Sequence, residues 1–455
     1  MARVPAPYDV LIAGAGPAGV IGALSAARAG LRVLLIEARA EVDTGHTCLV
    51  EVECGVFARC DVPAPSDDEL IFVQKGSYLL TPAGFPALVV MGHPLHSFQL
   101  RRVLRRFLGY AKAAGVEMLF EQTAAPLVEG DRVAGVVLRD RRGREREIRA
   151  RLVVDATGHA AALLSRLPER LGLDFVDRPE DHVLAQSRLY RLDRERAAAA
   201  AAQGRFFDGY SHHQIGTQGA YSTLGYFVSV ERGVAFLLSG IQEPYTPPSN
   251  DEVLDQLADR LGFLTDEVFR GGNPIRIHRA GARLVADGFA AIGEAASMVI
   301  PSHASGIASG MLAGHSLARH AAEILRDGGA ATTANLWPWL AAYQRGRGAV
   351  LATYDANRRF LQTFDPERDI EPLMRYGIMQ PEDMAHTLTA EPLSISPATL
   401  PQRLWGMRKA PLTGLRFLAS GPKTLLVHRH WLDFPREWNE RSFADWKKLA
   451  DRLLP

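Results

Sequence analysis

Three glycines and one acid near the N-terminus are spaced as in a turn that holds phosphate groups. Gly14, Gly16 and Gly19 follow an apolar run from Tyr8 to Ala13, and Glu37 ends the next apolar run. The first glycine permits a tight turn, the second lets a pyrophosphate approach the backbone, and the third lets a helix pack closely on the strand. The helix start offers free N–H groups and a positive dipole end. The pattern predicts a dinucleotide site, in which Glu37 binds both hydroxyls of an adenosine ribose and repels a 2′-phosphate.

A second stretch places an acid and a glycine at the end of a later strand. Leu152, Val153 and Val154 form a buried apolar run that leads into Asp155 and Gly158. Ligands of an open parallel sheet bind outside the carboxyl ends of its strands. This strand end is therefore expected to lie beside the glycine turn.

A third stretch returns to the same chemistry near residue 290. A short apolar strand leads into Gly293 and Glu294, and Pro301 and Gly306 precede a helix of small residues. A carboxylate at this strand end would bind the ribityl hydroxyls of a flavin. The helix that follows Gly306 would place N–H groups at the pyrimidine edge of the ring, where they stabilise negative charge on a reduced flavin. This stretch predicts that the dinucleotide is FAD.

The three stretches together resemble a group of FAD-dependent flavoproteins that includes geranylgeranyl reductases, lycopene cyclases, flavin halogenases and single-component aromatic hydroxylases. Their residues resemble most closely those of the reductase and lycopene cyclase branch. The group usually has Asp where Glu294 stands, and the extra methylene shifts the ribityl contact or marks a cyclase-like variant. The resemblance implies that FAD is bound by Gly14, Gly16, Ala18, Gly19, Glu37, Arg101, Asp155, Gly158, Gly293, Glu294, Pro301 and Gly306.

These residues must be positioned by an α/β fold. The strand and helix patterns, together with the resemblance, predict a Rossmann-like, three-layer FAD-binding domain with an inserted antiparallel-sheet substrate domain and a helical C-terminal region. The predicted boundaries are 1–165 and 276–330 for the two parts of the FAD-binding domain, 166–275 for the substrate domain and 331–455 for the helical region. Residues 69–95 predict short strands and turns that contribute to the substrate domain.

The composition is that of a soluble globular protein. Of 455 residues, 47% are hydrophobic and 23% charged, and the net charge of +1 creates no field that favours nucleic acid. No secretory leader and no membrane-spanning run is evident, which predicts a cytoplasmic protein. Cys48, Cys54 and Cys60 form an odd, clustered set that suits neither a disulfide framework nor a zinc site, so no metal is expected.

Two absences bear on the reaction. The halogenase branch carries a Trp-x-Trp-x-Ile-Pro motif, whereas the first tryptophan here is Trp337. The cyclase branch carries paired glutamates after Phe-Leu, whereas Phe236 and Leu237 are followed by Leu-Ser-Gly. These absences favour hydride transfer from reduced flavin to an alkene of a hydrophobic, isoprenoid or polyene substrate. A monooxygenase or halogenase acting on an aromatic or carrier-bound substrate, and a non-redox cyclase that contains FAD, stay open as alternatives.

Alkene reduction needs an electron donor and a proton donor. No second glycine-rich nucleotide fold follows Gly158, so electrons are expected from outside, by transient contact with NAD(P)H or from a separate reductase. Cys54, in a stretch resembling the reductases' Cys-Gly element, and His303, in the flavin loop, are the candidate catalytic acids. The ordinary alternatives are a core cysteine and a hydrogen-bonded surface histidine.

Residues 402–430 form a basic, apolar segment. They contain six Lys or Arg residues and no acid, interleaved with large hydrophobic side chains. Such a segment can lie peripherally on an anionic membrane or bind an acidic carrier protein, and the alternative is a helical cap on the substrate domain.

Overall fold

The protein is represented by a computed structural model, which describes residues 6–45, 49–219, 222–243 and 247–455. Cys48 lies outside these described residues. The strands are β1 (Tyr8–Ala13), β2 (Val33–Ile36), β3 (Leu49–Glu53), β4 (Leu70–Leu80), β5 (Pro86–Gln99), β6 (Glu117–Leu119), β7 (Gln122–Glu129), β8 (Arg132–Asp140), β9 (Glu145–Asp155), β10 (His182–Leu192), β11 (Tyr210–Ile215), β12 (Thr223–Ser229), β13 (Val234–Gln242), β14 (Leu264–Arg276), β15 (Val285–Ala286) and β16 (Phe289–Ala291).

The α-helices connect these strands and form the C-terminal region. They are α1 (Pro17–Arg28), α2 (Val56–Arg59), α3 (Leu100–Ala113), α4 (Arg194–Ala202), α5 (Asn250–Leu261), α6 (Ile307–Leu325), α7 (Thr333–Tyr343), α8 (Ala349–Leu361), α9 (Glu371–Arg375), α10 (Pro381–Thr389), α11 (Leu400–Lys409), α12 (Pro411–Leu432) and α13 (Glu440–Leu453). A π-helical turn, Gln344–Gly348, joins α7 to α8.

The first sheet brings the three sequence stretches to one edge. Its order is β15-β16-β9-β1-β2-β6, and β7 and β8 extend it from β9. β1 runs parallel to β2 and β9, so that Ala13 pairs with Ile36 on one side and with Asp155 on the other. β16 runs parallel to β9 and pairs Ala291 with Asp155. The carboxyl ends of β1, β2, β9 and β16 therefore meet, and the prediction of an α/β fold is confirmed.

The second sheet has the order β14-β10-β13-β12-β11-β4-β5-β3 and is antiparallel except where β11 runs parallel to β4. The prediction of short strands and turns over 69–95 is wrong, because β4 and β5 form one long hairpin in which Ser77 pairs with Val90 and Leu79 with Leu88. Pro86 does not interrupt this hairpin because it stands at the first position of its strand, where a proline is tolerated.

The C-terminal helices pack on one another and on the first sheet's helices. α8 packs against α12, and α7 packs against α6. Four buried aromatic side chains contribute to this packing. The ring centroids of Trp337 and Phe434 are 5.3 Å apart, and those of Trp431 and Trp446 are 5.1 Å apart. In the described segments, no helix combines the length and apolarity that a bilayer span requires.

A buried ion network joins α8 to the loop before β10. Arg358 is 1% exposed, and its guanidinium lies 2.7 Å from the Asp181 carboxylate and 2.5 Å from that of Asp355. Burial alone would raise the pKa of Asp355, but Arg358 and Arg359 outweigh burial and lower it to about 2. Because the folded-state pKa lies below the ordinary value, this contribution to stability is present at neutral pH and is lost as the pH falls towards 2.

Replacing Arg358 tests this network. Arg358→Ala is expected to lower the free energy of unfolding by about 3–5 kcal/mol, because it removes the buried cation from two buried carboxylates and leaves them only the partly exposed Arg359. Urea unfolding at pH 7 measures the change. The control, Arg146→Ala at an exposed position of β9, should shift the value by less than about 0.5 kcal/mol. Equal losses in the two variants would contradict the assignment.

Candidate functional site

One large cavity joins the edge of the first sheet to the second sheet and the C-terminal helices. Its volume is about 1990 Å³. Typical small-molecule pockets measure roughly 300–1,000 Å³, so this cavity has room for a dinucleotide and a second molecule. The predicted cofactor-binding residues that line it are Gly14, Gly16, Ala18, Glu37, Arg101, Gly158, Gly293, Glu294 and Gly306.

The glycines of the first turn have different surroundings. Gly14 has φ +102°, and a Cβ built on it would lie 2.3 Å from the carbonyl oxygen of Ala156. A Cβ on Gly19 would lie 1.9 Å from the carbonyl oxygen of Gly14. A Cβ on Gly16, in contrast, meets no described protein atom within 4 Å, and Gly16 lines the cavity. The fold itself requires Gly14 and Gly19, whereas Gly16 leaves open the space that a pyrophosphate would occupy.

The Glu37 carboxylate is held in place by backbone N–H groups. Its Oε2 accepts a hydrogen bond of 2.9 Å from the N–H of Ala15, and its Oε1 accepts one of 2.9 Å from the N–H of Arg39. A carboxylate oxygen can accept more than one hydrogen bond, so both oxygens can still receive ribose hydroxyls from the cavity. This geometry fits an adenosine ribose.

The Glu294 carboxylate lines the cavity beside Gly158. Its Oε1 is buried and has no hydrogen-bond partner among the described residues, and the Nδ1 of His159 lies 3.5 Å from it. A Cβ built on Gly158 would lie 4.0 Å from the other Glu294 oxygen. An unpaired buried acceptor is costly, and a ligand hydroxyl would remove that cost. The site therefore fits the ribityl chain of FAD.

Asp155 has a supporting position under the cavity wall. It is fully buried, its Oδ1 accepts hydrogen bonds from the N–H and hydroxyl of Thr157, and its Oδ2 accepts from the N–H groups of Leu163 and Leu164. With four donors on its two oxygens, this carboxylate shapes the Gly158 turn and has little capacity left for a ligand. Its predicted role as a direct cofactor contact stays a prediction, and these hydrogen bonds support a positioning role.

Two other predicted cofactor residues are Arg101, at the start of α3, and Pro301, in the loop before α6. Arg101 donates hydrogen bonds of 3.3 and 3.2 Å to the carbonyl oxygen of Gly45, and its guanidinium lies 3.7 Å from the Asp43 carboxylate. All three residues line the cavity. Pro301 is buried in the loop before α6 and lies outside the lining formed by the described residues.

The start of α6 faces the cavity. Gly306, Ile307 and Gly310 line it, so the positive end of the helix dipole is directed into it. Ser309, in the same turn, accepts a hydrogen bond of 3.1 Å from Nε of Arg347, which lies in the π-helical turn. Negative charge at this end of the cavity would therefore meet both a helix N-terminus and a nearby guanidinium.

The two predicted catalytic acids have unfavourable surroundings for that role. Cys54 carries a free thiol and follows β3, but it lies outside the cavity lining that the described residues form, and burial raises the pKa of its thiol. His303 does line the cavity. Burial, with Arg347 and His213 nearby, lowers the pKa of His303 to about 3, so its imidazole is uncharged at neutral pH and has no proton of imidazolium strength to donate.

Glu51 and Glu53 line the cavity and were not predicted from the sequence. Both belong to β3, whose last four residues, Val-Glu-Val-Glu, alternate apolar and acidic side chains. That alternation is the signal of a strand with one polar face and could have identified them. Burial raises the pKa of the Glu51 carboxyl group to about 7. The hydrogen bond from the hydroxyl of Ser97 lowers this pKa by a smaller amount.

Comparison with known proteins agrees with this geometry. Residues 9–173 match the family model described as FAD dependent oxidoreductase. The chain is 28% identical to a digeranylgeranylglycerophospholipid reductase of Sulfolobus acidocaldarius over 98% of this chain and 97% of that protein. The structure of a geranylgeranyl bacteriochlorophyll reductase-like protein of Thermoplasma acidophilum is similar with a TM-score of 0.72 and 16% identity, covering 91% of this chain and 98% of that one.

A flavin-dependent brominase has a similar fold, with a TM-score of 0.63 and 15% identity over 92% of this chain and 100% of that one. At such low identity the two structural likenesses concern the fold alone. The resemblance to the geranylgeranyl reductase group of flavoproteins is confirmed, as is the prediction of an enzyme of the FAD-dependent oxidoreductase class with FAD as its cofactor.

Gly16 provides a test of the cofactor site. Gly16→Ala is expected to fold normally but to bind FAD at least about tenfold more weakly, because its methyl group occupies the space beside the turn that a phosphate needs. Flavin content after purification and titration of the apoprotein with FAD measure the change.

The matched control is Gly109→Ala on α3, where an added Cβ also meets no described atom within 4 Å. Gly109 is far from the glycine turn in sequence. It should leave FAD binding unchanged. Unaltered FAD affinity in Gly16→Ala would show that the pyrophosphate lies elsewhere.

Proposed function

We propose that this chain is an FAD-dependent reductase that saturates an alkene of a hydrophobic, isoprenoid or polyene substrate. The observation that carries the proposal is the continuity of the cavity, which runs from the FAD-binding edge of the first sheet into an apolar chamber. When bound, FAD would supply hydride from its reduced ring. The 28% identical relative named as a reductase of a geranylgeranylated glycerophospholipid supports this substrate class.

In this proposal the first and third stretches hold opposite ends of FAD. The turn of Gly14, Gly16, Ala18 and Gly19 holds the pyrophosphate at the N-terminus of α1. Glu37 binds the adenosine ribose and Glu294 the ribityl hydroxyls. Asp155, Gly158 and Arg101 shape the loops around them. The N-terminus of α6, which begins after Gly306, faces the ring, with Pro301 in the preceding loop.

The apolar chamber lies between the second sheet and the C-terminal helices. Its walls include Leu79, Phe236 and Leu238 on strands, and Leu361, Met374 and Leu388 from the C-terminal region. Transfer of each CH₂ group from water to such surroundings contributes about 0.8 kcal/mol, so a long prenyl chain would be bound well without polar contacts. Methionine side chains adapt to irregular shapes, which suits a flexible chain.

We infer that the electrons come from an external donor, either NAD(P)H in transient contact or a separate reductase. The sequence contains no second glycine-rich nucleotide fold after Gly158 that would hold NAD(P)H in a domain of its own.

Anaerobic reaction of reduced enzyme with substrate tests the reductase assignment. With FAD reduced by light, addition of a geranylgeranylated glycerolipid should restore the absorbance of oxidised flavin and give a product two hydrogens heavier per double bond. The fully saturated lipid serves as the control and should leave the flavin reduced. An unchanged flavin would refute the reductase. A product of unchanged mass would indicate a cyclase, and one that requires oxygen and halide would indicate a halogenase.

The helices α11 and α12 present a face that suits an anionic bilayer. We propose this face as the peripheral membrane contact of a cytoplasmic enzyme. It consists of exposed leucines, among them Leu404 (64% exposed), Leu412 (75%) and Leu415 (65%). This α11–α12 face also carries exposed Lys and Arg residues. Residues 402–430 contain no acidic side chain. Leu418 and Leu425 are both more than half exposed and also line the cavity. The cavity therefore opens within this face, where a lipid substrate could enter from the bilayer.

Polar substitution of the α11–α12 face tests the membrane contact. The double variant Leu412→Ser/Leu415→Ser should reduce co-sedimentation with vesicles of phosphatidylcholine and phosphatidylglycerol at least about tenfold, because each buried leucine contributes roughly 1.5–3 kcal/mol. Leu449→Ser, at a 42% exposed position of α13, is the control and should bind as the wild type. Equal vesicle binding by all three proteins would refute the membrane contact, as would binding of an acidic carrier protein without binding of vesicles.

A further inference from the structure

Two acidic side chains of one strand face the cavity. Glu51 and Glu53 lie two positions apart on β3, so they point to the same side, and both line the cavity. Val52, between them, is 1% exposed and packs into the core on the other side. β3 is the last strand of the second sheet and pairs with β5, where Glu51 stands opposite Ser97.

An arginine fixes this strand beside the start of α6. Arg347 donates a hydrogen bond of 3.3 Å from Nη2 to Oε1 of Glu53 and one of 3.1 Å from Nε to the hydroxyl of Ser309. Ser309 lies in the first turn of α6, the helix whose N-terminus faces the flavin ring in the proposed function. Glu51 lies about 7 Å further along the strand, at the spacing of two residues. Glu51 thus lines the cavity two residues away from Glu53, the side chain that Arg347 ties to the start of α6.

The two carboxyl groups differ in their partners. Glu53 is paired with the guanidinium of Arg347, whereas Oε1 of Glu51 accepts a hydrogen bond of 3.3 Å from the uncharged hydroxyl of Ser97. Burial favours the neutral form of Glu51 and raises its pKa to about 7. A protonated carboxyl is therefore available in the cavity at and below neutral pH.

The other titratable groups around β3 are distributed over several elements. His303 in the loop before α6 and His213 on β11 face the cavity with Glu51. His96 on β5 lies beside Phe57 of α2, with ring centroids 5.9 Å apart, and burial lowers its pKa. Burial also lowers the pKa of His303 to about 3. His96 and His303 are therefore neutral near pH 7, and Arg347 is engaged by Glu53.

We propose that Glu51 is the proton donor of alkene reduction, an inference that rests on the proposed function. The alkene accepts a hydride with its electron pair from the reduced cofactor at one carbon. The π electrons form the second C–H bond with the proton of Glu51 at the other carbon, as the O–H bond of the carboxyl group breaks. The products are a saturated carbon pair, the oxidised cofactor and the Glu51 carboxylate. Water restores the proton of Glu51, and the external donor restores the two electrons.

The variant Glu51→Gln tests this role in holoenzyme whose FAD has been reduced by light, so that no electron donor is involved. The rate of flavin reoxidation by the geranylgeranylated lipid should fall at least about hundredfold, as expected for loss of a general acid. FAD content and the rate of photoreduction should be unchanged. Glu129→Gln, on the exposed end of β7, is the matched control and should react like the wild type.

A second readout requires no reaction. Infrared titration of the wild-type holoenzyme should show the C=O band of a protonated carboxyl group that disappears around pH 7, and this band should be missing in Glu51→Gln. The wild-type reoxidation rate should fall about tenfold per pH unit above that midpoint, because only the protonated form donates. The absence of a titrating band that depends on Glu51 would overturn the proposal.

Ser97→Ala tests the same role without removing the carboxyl group, should Glu51→Gln fail to fold. Because the hydroxyl of Ser97 lowers the pKa of Glu51, its loss should move the decline in rate to higher pH. An unmoved decline would overturn the assignment of Glu51. If the wild-type enzyme and Glu51→Gln react equally fast, the assignment of the proton donor is wrong but the reductase assignment stands. If the lipid does not reoxidise the flavin of the wild-type enzyme, both assignments are wrong.

Discussion

The close approach of α1 and α6 is the constraint on which the site depends. A Cβ on Gly314 would lie 2.3 Å from the carbonyl oxygen of Ala18, and one on Gly310 would lie 3.1 Å from the Ala18 side chain. Backbones this close admit no larger side chains. The contact holds the N-termini of both helices at one cavity. Two partial positive charges are thus directed into the same cavity, where both would favour an anionic ligand.

The acidic groups of the cavity are then distinguished by their partners. Backbone N–H groups hold Glu37, Arg347 holds Glu53, and His159 approaches Glu294, whereas the hydroxyl of Ser97 is the hydrogen-bond donor to Glu51. Burial raises the pKa of the Glu51 carboxyl group, and the single hydroxyl of Ser97 lowers it by less. Side chains of one type can therefore serve for binding, positioning and proton transfer in a single cavity.

The parts of the site that were predictable are those encoded locally. The turn from Gly14 to Gly19 lies between a strand and a helix that follow each other directly, so spacing alone identifies it. The face of β3 depends instead on pairing with β5, since Glu51 and Ser97 are 46 residues apart in sequence. An acidic strand face is usually solvated, and only this long-range pairing turns it towards a cavity. The hairpin of β4 and β5 was missed for the same reason, because prolines suggested turns that strand pairing overrides.

Burial links substrate binding to proton transfer in the proposed reaction. Withdrawal from water, which would favour binding of a prenyl chain, also raises the pKa of the Glu51 carboxyl group to about 7. A bound chain would displace water from the cavity and strengthen this effect, since charge separation costs more in drier surroundings. An acid in such a place holds its proton until an acceptor forms beside it. The same apolar cavity can therefore select the substrate and keep the proton for the carbon that receives it.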